Sequence, residues 1–190
     1  MGLVGLIVIG VVVVLLIWGV AIYNALVRLR ALVKEGFSGI TVQLRRRADL
    51  IPNLVSTVEG YATHEREVLT QVTAHRADAT SAKGVAATAQ ADNAFSAMLG
   101  RLMAVAEAYP DLKADDNFRQ LQEELSEIED HLQSARRYYN ATVRDLNTKI
   151  QSFPNVLFAR PLGFTEEEFY ADDDASIQSA PKVAFGAAKA

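Results

Sequence analysis

The sequence predicts an all-α protein: an N-terminal transmembrane helix that continues into an elongated antiparallel helical bundle. Three observations carry this. Residues 1–27 contain no charged side chain, and Gly2–Tyr23 is nearly all Val, Leu, Ile and Gly. Beyond them, apolar residues recur every three or four positions along three long stretches, which puts one stripe on one face of each. Between the stretches lie helix-stopping residues, such as Tyr109-Pro110-Asp111-Leu112. The chain divides into an anchor (1–23), a bundle (24–170) and an acidic, then Ala-rich tail (171–190) expected to be disordered.

An apolar run of about 20 residues spans a bilayer core of about 30 Å. Trp18 and Tyr23 sit near its end, where aromatic side chains favour the interface. A cleavable signal peptide fits less well: no basic residue precedes the run, no small-residue cleavage site is evident, and the run is too long. Its glycines, at 2, 5, 10 and 19, form no G-x-x-x-G pair. Arg28, Arg30 and Lys34 follow the span at once, and Arg45, Arg46 and Arg47 about three turns later. The positive-inside rule then leaves the short N-terminus outside and the C-terminal domain in the cytoplasm, in a single-pass topology.

The first long stretch runs from Asn24 to about Arg76, with Leu26, Val33, Ile40, Leu44, Ile51, Val55 and Val58 on its stripe. As one helix it would extend roughly 75–80 Å, too long for a small domain unless other helices, or other copies, lie along it. Pro52 cannot donate to residue 48 and its ring crowds that carbonyl. A kink is expected there, set by Asp49, Pro52 and Asn53, or a restart with Asp49 as cap. Gly60 is a further weak point. Ala77–Gln90 reads as a connection with a break at Gly84. A second helix spans about Val85–Ala108, with Phe95, Leu99 and Leu102 on its stripe. A third spans about Asp115–Ser152, with a heptad-like, coiled-coil series from Phe118 to Phe153. Three such helices pack up-down-up. Thr165–Tyr170 could form a short helix capped by Thr165 and Glu168, clipped to the bundle by Phe164, Phe169 and Tyr170.

The formal net charge of −4 argues against a nucleic-acid binder, and the lack of cysteine removes disulfides, thiolate metal sites and a cysteine nucleophile. His64, His75 and His131 are not arranged as H-E-x-x-H, and no phosphate loop, dinucleotide fingerprint or nucleophile elbow occurs. No metal, cofactor or catalytic residue is therefore assigned. Tyr61, Tyr138 and Tyr139 read as packing or interface residues rather than catalytic ones. An enzyme would need a buried polar cluster that the sequence does not display. Residues 28–47 hold six basic side chains and one acidic, beside the membrane. Arg28, Arg30, Lys34, Arg45, Arg46 and Arg47 are the candidates for contact with anionic lipid or with a neighbouring copy. The competing interpretation is that they only set topology and solvate a helix face.

The run Tyr23-Asn24, Leu26-Val27, Arg47, Asp49-Leu50-Ile51-Pro52-Asn53-Leu54-Val55, Gly60-Tyr61-Ala62 and His64-Glu65 resembles the signature of the LemA family. Two later groups are similar to it as well: Tyr109-Pro110-Asp111-Leu112-Lys113-Ala114 with Asn117-Phe118 and Leu121–Leu125, and Arg137, Tyr139-Asn140, Asn147, Ile150, Phe153-Pro154 with Gly163-Phe164 and Phe169. The resemblance covers roughly residues 20–170. It implies an elongated antiparallel bundle in a bacterial inner membrane, and links to membrane organisation or to a membrane metalloprotease. Two functions follow as expectations. The first is a non-enzymatic scaffold that self-assembles through its long helices and organises or remodels the bilayer. The alternative is an adaptor for another membrane protein.

Overall fold

The structure, a computed structural model, describes residues 2–62 and 64–170. Among the described residues the regular structure is all helix, with no strand: α1 (Leu3–Tyr61), α2 (Arg66–Ser81), α3 (Val85–Glu107), α4 (Pro110–Ala114), α5 (Asp116–Gln151) and α6 (Val156–Ala159). The expected tail, 171–190, lies outside the described residues.

Helix α1 is one unbroken element of 59 residues, about 88 Å long at 1.5 Å per residue. Its first third touches almost nothing. The large side chains described between Leu3 and Ile17 are each 46–76% exposed. Apolar surface of that extent, uncovered by protein, belongs in a bilayer, and this is a membrane protein. From Ile22 onward the inward stripe is buried, through Leu26, Val33 and Ile40 to Ile51, Leu54 and Val58.

Helix α1 does not restart at Pro52, as one reading of the sequence expected. Pro52 lies on the exposed face, so its ring meets solvent rather than core. The Ala48 carbonyl that it leaves without a backbone donor accepts instead from Arg76 Nε on α2, at 2.6 Å. A side chain from a neighbouring helix thus replaces the hydrogen bond that proline cannot make. The break comes after Gly60. Helix α1 ends at Tyr61, and residues 66–76, expected to continue it, fold back along it within α2. The expected connection Ala77–Gln90 shrinks to residues 82–84, where Gly84 takes φ +82° and reverses the chain at no steric cost.

Four long helices result, not three. Helix α5 runs antiparallel to α1 in one register: Tyr61 pairs with its cap Asp115, Arg47 with Glu129 and Phe37 with Tyr139, and past the end of α5 Trp18 meets Phe158 on α6. Each step along α1 is matched by an equal step back along α5. Gly36 permits this approach, since a Cβ there would stand 3.1 Å from Tyr139 Cα. Helix α5 starts on an Asp115 cap that accepts from Phe118 N–H at 2.9 Å. The α2–α3 hairpin covers the half of the α1–α5 pair away from the membrane.

The near half is covered by a strap, residues 164–170. The sequence suggested a capped helix here. The strap has no helical structure, because its backbone groups are taken by side chains of α5. Asn147 donates to the Glu167 carbonyl and accepts from its N–H, both at 2.9 Å. Asn140 does the same for Tyr170, at 3.1 and 2.9 Å. Tyr139 Oη donates to the Glu168 carbonyl at 2.7 Å. Two asparagines seven residues apart share one helix face, so they form matched clamps that replace a helical ladder. Phe164 and Tyr170, expected to clip this segment down, are both buried. Phe169 is 46% exposed and does not join them.

Candidate functional site

Two features stand out from the packed helices: a polar centre inside the bundle and a basic collar where the bundle meets the span.

The polar centre forms because three helices each place one charged residue on their buried stripe. Arg47 falls three residues after Leu44 and four before Ile51. Asp92 falls three before Phe95. Arg136 falls four after Leu132 and three before Tyr139. Asp92 is fully buried, and its carboxylate accepts from Arg47, from Arg136 and from Tyr170 Oη, the last at 2.7 Å. Arg47 also donates to Ser96 at 3.0 Å and to Glu129 at 3.1 Å, and lies over the Phe95 ring at 5.0 Å. Burial pushes the Tyr170 phenol upward, with Asp92 adding to it and the two arginines opposing. Burial alone would lower Arg136, but Asp92, Tyr170 and Glu129 together raise it further, and the shift is upward.

This centre separates a membrane-side core around Leu26, Ile40, Leu132, Tyr139 and Phe164 from a distal core around Leu54, Phe95, Leu102 and Phe118. The buried cluster that the sequence did not display therefore exists. Its chemistry is that of a lock. One carboxylate is shared among three donors, and both of its oxygens are occupied. Such a centre fixes register among α1, α3, α5 and the strap.

Arg47 is accordingly corrected. Only 2% exposed, it meets neither lipid nor a neighbouring copy, because its charge is neutralised inside the chain. The other collar residues spread out. Arg28 and Lys34 are exposed just past the span. Arg30 is half-buried, donating to the Gly163 carbonyl at 2.7 Å and lying 4.4 Å from the Phe164 ring centre. Arg45 and Arg46 are exposed but stand about 33 Å beyond Tyr23 along the helix, several Debye lengths from any headgroup. Asp49, Pro52 and Asn53 lie within the continuous helix, and Asp49 caps nothing. Among the described residues no three His, Asp or Glu side chains converge as metal ligands.

A sequence profile described as the LemA family matches residues 36–185. The chain is 26% identical over 179 residues to magnetosome protein MamQ 2 of Paramagnetospirillum magneticum, covering 80% of this chain and 66% of that protein. It is equally similar to magnetosome protein MamQ of Magnetospirillum gryphiswaldense. It is 29% identical over 135 residues to protein LemA of Metamycoplasma hominis, covering 68% of this chain and 60% of that protein. The chain thus spans just under two thirds of the length of these relatives.

Proposed function

Because this chain belongs to the LemA family, we propose that it is a membrane-anchored, non-enzymatic scaffold, whose copies stand side by side on the bilayer and organise or remodel it. The observation that carries this reading is α1 itself. One helix runs without interruption from the uncovered apolar segment to the far end of the bundle, so anchor and bundle move as one body. Arg28, Arg30 and Lys34 face anionic headgroups, each worth about 1 kcal/mol near the surface. Arg45 and Arg46 face a neighbouring copy. The basic flank supports a bundle in the cytoplasm of a bacterial cell, with the N-terminus outside. Nucleic acid is not a partner. That two similar proteins are named as magnetosome proteins agrees with work at a membrane.

A second reading, an adaptor for another membrane protein such as a metalloprotease, draws on the strap. The α1–α5 groove binds an extended backbone through the Asn140 and Asn147 amides, and a partner's extended segment that displaced the strap would find the same donors and acceptors there.

The test is the mass and shape of the full chain after gentle extraction from membranes, by light scattering and electron microscopy. Regular rings, cages or rows support the scaffold. A monomer or small oligomer with a co-purifying protein supports the adaptor. A monodisperse monomer that leaves liposomes unchanged refutes the scaffold.

A further inference from the structure

Beyond the α5 terminus the chain does something that neither the collar nor the lock requires. Past Phe153-Pro154, a cis peptide, the short α6 carries the α1–α5 register down beside the apolar segment. Phe158 packs edge-on against Trp18, with ring centres 5.9 Å apart. Trp18 lies five residues before Tyr23, about 7.5 Å down the span. A ring in contact with it shares its depth. This descending segment is apolar yet uncovered: Phe153 is 81% exposed, Leu157 60%, Leu162 45%, Val156 39% and Phe158 37%. In water that would be an aromatic-rich patch with no partner. Its charges, Lys149 above it and the exposed Arg160 within it, carry side chains long enough to reach phosphates while their stems stay apolar. Asn155, the segment's amide, is buried and donates to the Lys149 carbonyl at 3.0 Å. The fold thus satisfies internally the amide that lipid could not.

We infer that Phe153–Leu162 is a second membrane contact, a foot inserted into the bundle-side leaflet beside the span. Its occupant is the boundary of lipid headgroups and acyl chains. The patch extends a surface already in lipid, through the Trp18–Phe158 contact. The inference rests on the reading of residues 3–23 as spanning the bilayer. Two attachments in place of one stop the bundle from rotating about the span axis. They also add volume to one leaflet only, which bends a membrane toward the side that is wedged.

The full chain, reconstituted into phosphatidylcholine–phosphatidylglycerol vesicles with brominated acyl chains, tests this by fluorescence. Trp18 is the sole tryptophan and reports the span. In a Trp18→Phe background, Leu157→Trp and Leu162→Trp report the foot from exposed positions that tolerate the change. Tyr138→Trp reports the bundle surface at the level of Ser38, about 22 Å above Tyr23. Interfacial elements sit about 5–10 Å into the headgroup–acyl boundary, so the foot indoles should be quenched to within about a factor of two of Trp18, and the indole at 138 not at all. Quenching at the foot no greater than at 138, with Trp18 quenched, overturns the foot and leaves the span standing. Foot indoles shielded from both lipid bromine and aqueous iodide are covered by protein, a second copy or residues 171–190, which also overturns it. An unquenched Trp18 removes the span reading and the foot together.

Discussion

Replacing Asp92 by alanine is the most demanding test of the buried lock. The substitution removes the one carboxylate shared by Arg47, Arg136 and Tyr170 Oη. Arg47, at 2% exposure, and Arg136, at 9%, cannot recover water in exchange. Breaking a buried pair from one side costs about 3–5 kcal/mol, because the remaining charge stays buried. Glu129, 3.1 Å from Arg47 and 3.9 Å from Arg136, retains part of the balance, so the lower end, about 3 kcal/mol, is expected. For a chain of this size that is a fall of about 6–12 °C in Tm, read by circular dichroism of the full chain in detergent. The strap should loosen as well, since Tyr170 loses its acceptor, and proteolysis near 164–170 should accelerate. The combined change Arg47→Met, Asp92→Leu, Arg136→Met, Tyr170→Phe should recover most of the loss, because apolar groups of similar volume need no counter-charge and no buried hydroxyl is left without its acceptor. A loss below about 1 kcal/mol for Asp92→Ala, the range of an exposed pair, would refute the reasoning.

Three further outcomes follow from the geometry. Arg76→Ala should cost about 1–3 kcal/mol by leaving the Ala48 carbonyl without a donor, but little in a Pro52→Ala background, where the backbone N–H returns. A double-mutant cycle with no coupling would show that Arg76 does not stand in for the missing bond. Gly36→Ala pushes a Cβ to 3.1 Å from the Tyr139 backbone, whereas at Gly39 the nearest atom, Ala135 Cβ, is 4.0 Å away. Gly39→Ala should therefore be neutral or stabilising by up to about 1 kcal/mol through helix propensity, Gly36→Ala should be the less stable of the two, and thermal melts rank them. Burial, then Glu167 and Glu168, push the Tyr139 phenol up to about 12, from an unfolded value of about 10. A raised folded value means that the strap's hold is complete below pH 10 and lost as pH climbs from there toward 12. Phenolate absorbance should rise late, together with loss of near-ultraviolet dichroism; an ordinary titration near 10 with the strap intact would contradict this.

The helical class, the apolar N-terminal helix and the stripes of α1, α3 and α5 are legible because each is a local pattern repeated many times; Pro110 does mark the end of α3, but the turn expected over Tyr109–Leu112 is instead the start of the short helix α4. The α2 reversal is not legible. Residues 66–81 carry the same apolar period as α1, so periodicity alone cannot tell a continuing helix from one folded back. Pro52 was overrated for a similar reason: the donor that relieves it, Arg76, is 28 positions away. The strap resembled a capped helix because Thr165 and Glu168 have the right spacing, while the competing clamps sit on α5. The lock did leave a trace. Arg47, Asp92 and Arg136 each stand where their helix's stripe calls for an apolar residue, and a charge out of place on three stripes is a sign that the charges meet. Arg47 adjoins Arg45 and Arg46 in sequence, but on a helix such neighbours point about 100° apart, so adjacency does not put them on one face.

The unbroken α1 also works as a lever. With no joint between Tyr23 and Tyr61, about 57 Å of helix, any change in the inclination of the span appears undiminished at the tip. A span longer than its bilayer is thick relieves the mismatch by tilting. A tilt of about 10° would swing the tip sideways by about 10 Å, from the same helix length. Local bilayer thickness would thus be converted into the distance between neighbouring tips.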